Sequence, residues 1–208
     1  MNREQLAHVI RAAASIAIDG DMVIIGSQAV LGSFDVDELP GEATLSVEAD
    51  VAFWDDPGEA KADLVDGSIG EESPFHSTFG YYGQGVTLAT ARLPTGWKDR
   101  LVPFDWSDTG GGSARCLEVH DLTVAKLVAG REKDMTFAAA LLAHGLIDRE
   151  TLENRIADLE QPIDRERTGS RLTSVAARAD EAIAARNAEL GRSSRVRDPY
   201  GPRGSRTR

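Results

Sequence analysis

Ser46-Val47-Glu48-Ala49-Asp50-Val51-Ala52-Phe53 sets two carboxylates at i and i+2 among apolar neighbours. About twenty residues earlier stands Val23-Ile24-Ile25-Gly26-Ser27-Gln28-Ala29-Val30, an apolar run interrupted by Gly-Ser. In a strand, side chains two apart share a face and lie roughly 7 Å from each other. Two like charges on an apolar strand are unfavourable unless a cation shares them. A Gly-Ser turn lets backbone N–H groups approach a phosphate closely. The two segments together suggest a site for a metal and a nucleoside triphosphate. Oxygen-only ligands favour Mg²⁺ or Mn²⁺ over zinc. The competing reading of Glu48 and Asp50 is a solvated edge-strand face, which alternation alone does not exclude.

Working outward, residues 3–17 carry Leu6, Val9, Ile10, Ala13 and Ile16 at helical spacing. Met22 to Ile25 and Leu45 to Trp54 read as strands, the second closed by Asp55-Asp56-Pro57-Gly58. Gln28 to Gly32 reads as a helix start and 59–69 as a helix. From Phe75 to Pro103 the glycine-punctuated segments around Phe79 to Tyr82, Val86 to Leu93 and Leu101 to Phe104 predict two or three antiparallel strands. Ala114 to Leu117 is a short strand. Helices follow over 121–129, 132–144 and 149–159, with Asp121 and Asp148 as N-caps and breaks at Gly130 and Gly145. A last helix opens at Pro162 and runs to about Leu190. The expected architecture is α/β (α+β): a small mixed sheet flanked by helices, with a helical C-terminal region. The expected division is 1–145 for the α/β unit, 146–190 for a helical extension and 191–208 for a basic, disordered tail.

The 208 residues suffice for one domain with a proper core. No apolar run approaches the roughly 20 residues of a membrane span, and the N-terminal residues lack a signal-peptide pattern. The single cysteine, Cys116, reads as a small buried apolar residue and favours a reducing, cytoplasmic setting. The net charge is −11, yet Gly191 to Arg208 holds six arginines against Asp198. That tail is +5, leaving −16 on the remainder. It reads either as a solvated terminus or as a contact for RNA phosphates. No P-loop spacing and no Gly-x-Gly-x-x-Gly is present. Four histidines spread this widely give no zinc spacing, and no Ser-His-Asp arrangement is indicated.

The third chemically informative stretch runs from Leu117 through His120-Asp121-Leu122 and Lys126-Leu127-Val128-Ala129-Gly130 to Arg131-Glu132-Lys133-Asp134. Lys126 interrupts an apolar helical stripe. It reads either as a lysine whose stem packs while its head reaches water, or as a cation aimed at triphosphate oxygens. His120 reads as a histidine at the start of a helix rather than a base.

Gly26-Ser27, then Glu48-Ala49-Asp50 on the next strand, resembles the nucleotidyltransferase superfamily of the DNA polymerase β type. The later Lys126 to Asp134 stretch looks like the third motif of its AbiEii-type and MenT-type toxin branch. The whole is most similar to an uncharacterised bacterial subgroup, over residues 5–145. The resemblance implies metal-dependent transfer of a nucleotide from NTP to an acceptor hydroxyl or phosphate. It implies Glu48 and Asp50 as metal ligands, and Gly26 and Ser27 lining the β/γ-phosphates. Lys126 then neutralises the triphosphate, with Arg131 beside it, and Asp134 orients Lys126 or helps deprotonate the acceptor. In the toxin branch the acceptor can be the 3′ end of tRNA, and a neighbouring antitoxin protein is the implied partner. Two departures stand out. Glu48 occupies a position where the superfamily usually has Asp, and a third sheet carboxylate has only Asp99, Asp105 and Asp108 as candidates, Asp105 first. These departures motivate an alternative, a catalytically inactive nucleotide-binding module acting through a protein partner. Transfer to a cationic small molecule is the third reading, suited to an acidic body.

Overall fold

In a computed structural model, described over residues 1–105 and 112–196 (side chains at 191 and 193–196 excepted), a five-stranded mixed sheet carries helices on its faces. Helix α1, Arg3–Ala17, begins in a capping box made by Asn2 and Gln5 and buries Leu6, Val9, Ile10 and Ala13. Strand β1 is Asp21–Ile24, followed by a 3-10 helix, Ser27–Gly32. A short helix α2, Gly41–Thr44, leads into β2, Glu48–Phe53. Helices α3, Ala60–Ile69, and α4, Pro74–Phe79, precede β3, Tyr82–Gly85. Strands β4, Val102–Pro103, and β5, Ser113–Cys116, complete the sheet. The chain then turns helical: α5 is Val119–Ala129, α6 Glu132–Ala143, α7 Arg149–Ala157 and α8 Pro162–Val196.

The strand order is β3-β2-β1-β5-β4. Strand β1 pairs antiparallel with β2 and parallel with β5, and β2 pairs parallel with β3. The expected mixed sheet is therefore found. The stretch 75–103 departs from expectation. Phe75 to Phe79 lies in α4, capped by Ser73 with Pro74 at the first turn. Of 86–93, only Leu88–Thr90 takes regular form, as a 3-10 helix. Two strands do form: β3 runs parallel to β2 rather than antiparallel to a neighbour, whereas β4, inside the expected Leu101 to Phe104 segment, pairs antiparallel with β5. Aromatic and β-branched residues suggested strands there, but they pack as a cap on α1: Phe75, Phe79 and Tyr81 all contact the His8 ring.

The register decides which residues face which layer. Ala49 lies opposite Gly83, and a Cβ on Gly83 would stand 2.8 Å from Val9 and 2.9 Å from Ile69. That face of β2, with Ala49 and Val51 fully buried, therefore meets α1 and α3. Gly85 lets α3 come closer still, since its Cβ would fall 1.9 Å from the Ala62 carbonyl oxygen. By period-2 alternation, Glu48 and Asp50 point to the opposite face.

Helices α5 to α8 share the buried cluster of the sheet: Leu127, Leu141, Leu152, Leu172 and Val175 join Met22, Ile24 and Val51. Glu118, not Asp121, caps α5, accepting from the backbone N–H groups of His120 and Asp121. Asp121 is instead fully buried. It takes a bidentate pair from Arg100 at 2.8 and 2.9 Å, and Arg155 of α7 approaches to 3.4 Å. His120 bonds Glu118 at 2.6 Å and the Asp148 N–H at 3.2 Å, a structural tie at the start of α5. Asp148 caps α7 as expected. Cys116 is fully buried, and burial pushes its thiol up to about 12, so it is inert packing. Of the tail expected over 191–208, residues 191–196 continue α8 and 197–208 lie outside the described residues. Among the described residues no helix is long and apolar enough to cross a membrane.

Candidate active site

The antiparallel pairing of β1 and β2 puts the end of one strand beside the start of the other. The N–H of Ile25 donates to the Asp50 carbonyl at 3.1 Å, so the Gly-Ser turn and the acidic pair become neighbours. Gly26 is the residue this proximity requires. A Cβ placed there would lie 1.5 Å from Asp50 Oδ2 and 2.4 Å from its Cγ, so the carboxylate occupies the space a side chain would need. Gln28, 1% exposed, donates through Nε2 to the Ser46 carbonyl at 2.7 Å and locks the turn to the approach of β2.

Helix α5 brings the third component from far along the chain. Lys126 is 8% exposed; its Nζ donates to Ser27 Oγ at 2.8 Å and to Asp134 Oδ1 at 3.2 Å. The ammonium also stands 4.6 Å above the Phe137 ring centre, a cation–π contact. Of the two readings of Lys126, the snorkelling one does not describe it: the head is turned inward. Asp134 is fully buried, and its Oδ2 accepts from Arg131 Nε at 2.6 Å and from the Arg131 backbone N–H at 3.3 Å. It thereby caps α6 and fixes two cations at once.

These groups line one open pocket of about 790 Å³. Gly26, Ser27, Glu48, Asp50, Lys126 and Arg131 all reach it, and Lys133 lines its wall beside them. Asp134 lies behind it, holding Lys126. Burial pushes Asp50 up to about 6, the Glu48 charge adds to the shift, and Lys126, Arg131 and Lys133 oppose it. Burial lowers Lys126 from the usual lysine value while Asp134 resists the change. Burial alone would raise Asp134, but its bond from Arg131 and the Lys126 charge hold it below the ordinary aspartate range.

Among the described residues no group of three or more His, Cys, Asp or Glu converges on one point. Among the described residues the carboxylates that the sheet brings to the pocket are two, Glu48 and Asp50. That set fits Mg²⁺, which keeps several waters and is held by one or two carboxylates plus substrate phosphates. The electrostatic strain at Asp50 is of the kind a divalent cation relieves. The candidates for a third sheet carboxylate do not enter the pocket. Asp99 is exposed on a 3-10 helix, and Asp105 follows β4 at the edge of the sheet, with β5 and β1 between it and β2. Asp108 lies outside the described residues. On β3 the residue in register with Asp50 is Gln84, which donates to Asp66 at 2.5 Å.

Three contributors carried no signal in the sequence. Gln28 follows a common turn. Lys133 belongs to an ordinary charge run. Arg92 sits where a strand is expected, yet it lines the pocket and pairs with Asp164 of α8 at 2.6 Å.

Comparison with known families assigns the class. The model of a nucleotidyltransferase family matches residues 4–179, from α1 well into α8, and so spans every group just described. The chain belongs to that family, described as "Nucleotidyltransferase of unknown function (DUF6036)". No curated protein and no solved structure matches the chain.

Proposed function

We propose that the chain is a metal-dependent nucleotidyltransferase that moves a nucleotide from NTP to the 3′ end of an RNA. The observation that carries this reading is the convergence of three distant segments. Gly26-Ser27, the Glu48/Asp50 face of β2, and Lys126 of α5 meet around one pocket, with Lys126 on Ser27 at 2.8 Å.

In this reading Glu48 and Asp50 hold Mg²⁺ or Mn²⁺. The metal, when bound, neutralises charge on the triphosphate and activates the acceptor oxygen. The Gly-Ser turn brings the Gly26 backbone and the Ser27 hydroxyl against the β/γ-phosphates. Lys126 and Arg131 supply fixed positive charge where charge accumulates on the leaving pyrophosphate. Asp134 keeps Lys126 aimed at the pocket. It is fully buried with both oxygens on cations, so it acts by orientation rather than as the base for the acceptor. RNA as acceptor is supported by the arginine-rich +5 tail, which suits a polyphosphate backbone.

Transfer to the tRNA 3′ end would make the chain toxic to its own cell, with an antitoxin protein as the controlling partner. Induced expression should then arrest growth for the wild type and not for Asp50→Ala. The direct test incubates labelled NTPs, Mg²⁺ and total tRNA with the protein. Label should enter RNA with the wild type, vanish with EDTA and fall at least a hundredfold with Asp50→Ala. Equal transfer by Asp50→Ala, or none by the wild type with any RNA, sinks the proposal.

A second reading has two observations in its favour. Glu48 stands in place of the usual Asp and Gln84 is the residue opposite Asp50 on β3, as a nucleotide-binding module without catalysis would have. NTP-induced stabilisation that needs no Mg²⁺ and survives Asp50→Ala would favour it.

A further inference from the structure

The pocket has positive charge at two places. Lys126 and Arg131, with Lys133 close by, gather around the C-terminal end of α5 and beyond it. Arg92 reaches the pocket from the segment that follows β3, together with Thr90 and Ala91. The course of α8 separates the two. Arg171 of α8 donates to the carbonyls of Leu127 and Val128, at the C-terminal end of α5. Asp164, the partner of Arg92, lies seven residues earlier, on the order of 10 Å back along α8. Near it, Thr95 donates to the carbonyl of Asp158, just before α8, and its own carbonyl accepts from Arg100, the partner of Asp121 in the first turn of α5.

The Arg92–Asp164 pair is unequal. The Asp164 side chain is 11% exposed and that of Arg92 62%. A buried carboxylate grips one terminal nitrogen at 2.6 Å, and the rest of the guanidinium fork has no hydrogen-bond partner among the described residues. An arginine anchored at one corner and open at the other is suited to a second anion, which the planar fork can take in a bidentate manner. In the reading proposed above Lys126 and Arg131 serve the triphosphate, so a second anion at Arg92 belongs to the acceptor.

We propose that Arg92 is an acceptor-side phosphate clamp. It grips the phosphodiester next to the 3′-terminal nucleotide of the RNA, and Asp164 is the positioning residue that presents it. The proposal rests on the reading of the pocket as an RNA nucleotidyltransferase site. It also makes α8 part of substrate selection.

The test uses the full chain and a 5′-labelled single-stranded RNA oligonucleotide with a free 3′ hydroxyl. Its partner probe carries an uncharged methylphosphonate at the last linkage. Arg92→Ala should weaken binding of the natural RNA about tenfold or more, and the neutral linkage should weaken the wild type equally. The two changes together should add nothing. NTP affinity should move less than twofold, and in transfer assays the acceptor KM should rise while the NTP KM holds. Asp164→Asn should fall between wild type and Arg92→Ala. Arg92→Lys keeps the charge and the pair with Asp164, so it should recover part of the loss; it also tests the proposal if the alanine variant fails to fold. Weakened NTP binding in Arg92→Ala, or equal binding of both RNAs, overturns the clamp. A wild type that binds NTP but no RNA overturns it while leaving the nucleotide site standing. A wild type that binds neither overturns both.

Discussion

At Gly26 the missing side chain is replaced by the Asp50 carboxylate itself, 1.5 Å from where a Cβ would be. Gly26→Ala must therefore push Asp50 aside. With the fold intact, that displacement of about 1 Å should lower transfer about a hundredfold, with melting temperature as the control. Asp50 itself makes a pH prediction. Its folded value, about 6, lies above the ordinary 3.8, so the folded state holds its proton more tightly across that window. Wild-type stability relative to Asp50→Asn should therefore fall as pH rises from about 4 to about 6, and stay flat above. The difference amounts to about 3 kcal/mol, readable in urea melts of both proteins at a series of pH values. Mg²⁺ with NTP should reduce it by favouring the ionised carboxylate. Glu48, Asp50 and Lys126 were legible because each sets a charge in an apolar stretch, and Gly26-Ser27 because it breaks an apolar run just ahead of them. Gln28 and Arg92 were not, because a glutamine after a turn and an arginine in a loop are commonplace until distant partners give them direction.

Elements show a similar division. Strands β1 and β2 and the helices from α5 onward follow from periodicity and caps, which are local signals. Most of the stretch 75–103 does not, although its last segment forms β4 where a strand is expected. Its aromatic residues suit strands, but the His8 face of α1 recruits them into α4 and a cap. Asp121 is a similar case: its position beside a helix start suggested a cap, while its role is set by Arg100 and Arg155 from other elements. Asp121→Ala leaves both guanidinium groups facing a buried gap, and should destabilise the protein by about 3–5 kcal/mol in urea melts. The same substitution at exposed Asp99 should change stability by less than about 0.5 kcal/mol.

For the whole molecule, the sheet with α5 and α6 brings residues 26–27, 48–50 and 126–134 to one pocket, and Asp164 of α8 holds Arg92 at its wall. The family match over residues 4–179 covers all of these residues, Asp164 included. We propose that the pocket takes a nucleoside triphosphate together with a metal held by the β2 carboxylates. Titration calorimetry of NTP with and without Mg²⁺ tests it, on the wild type, Lys126→Met and Asp50→Asn. The wild type should bind in a Mg²⁺-dependent manner, Lys126→Met should lose at least tenfold in affinity, and Asp50→Asn should lose the Mg²⁺ dependence. Binding of equal strength in all three proteins, indifferent to Mg²⁺, would contradict it.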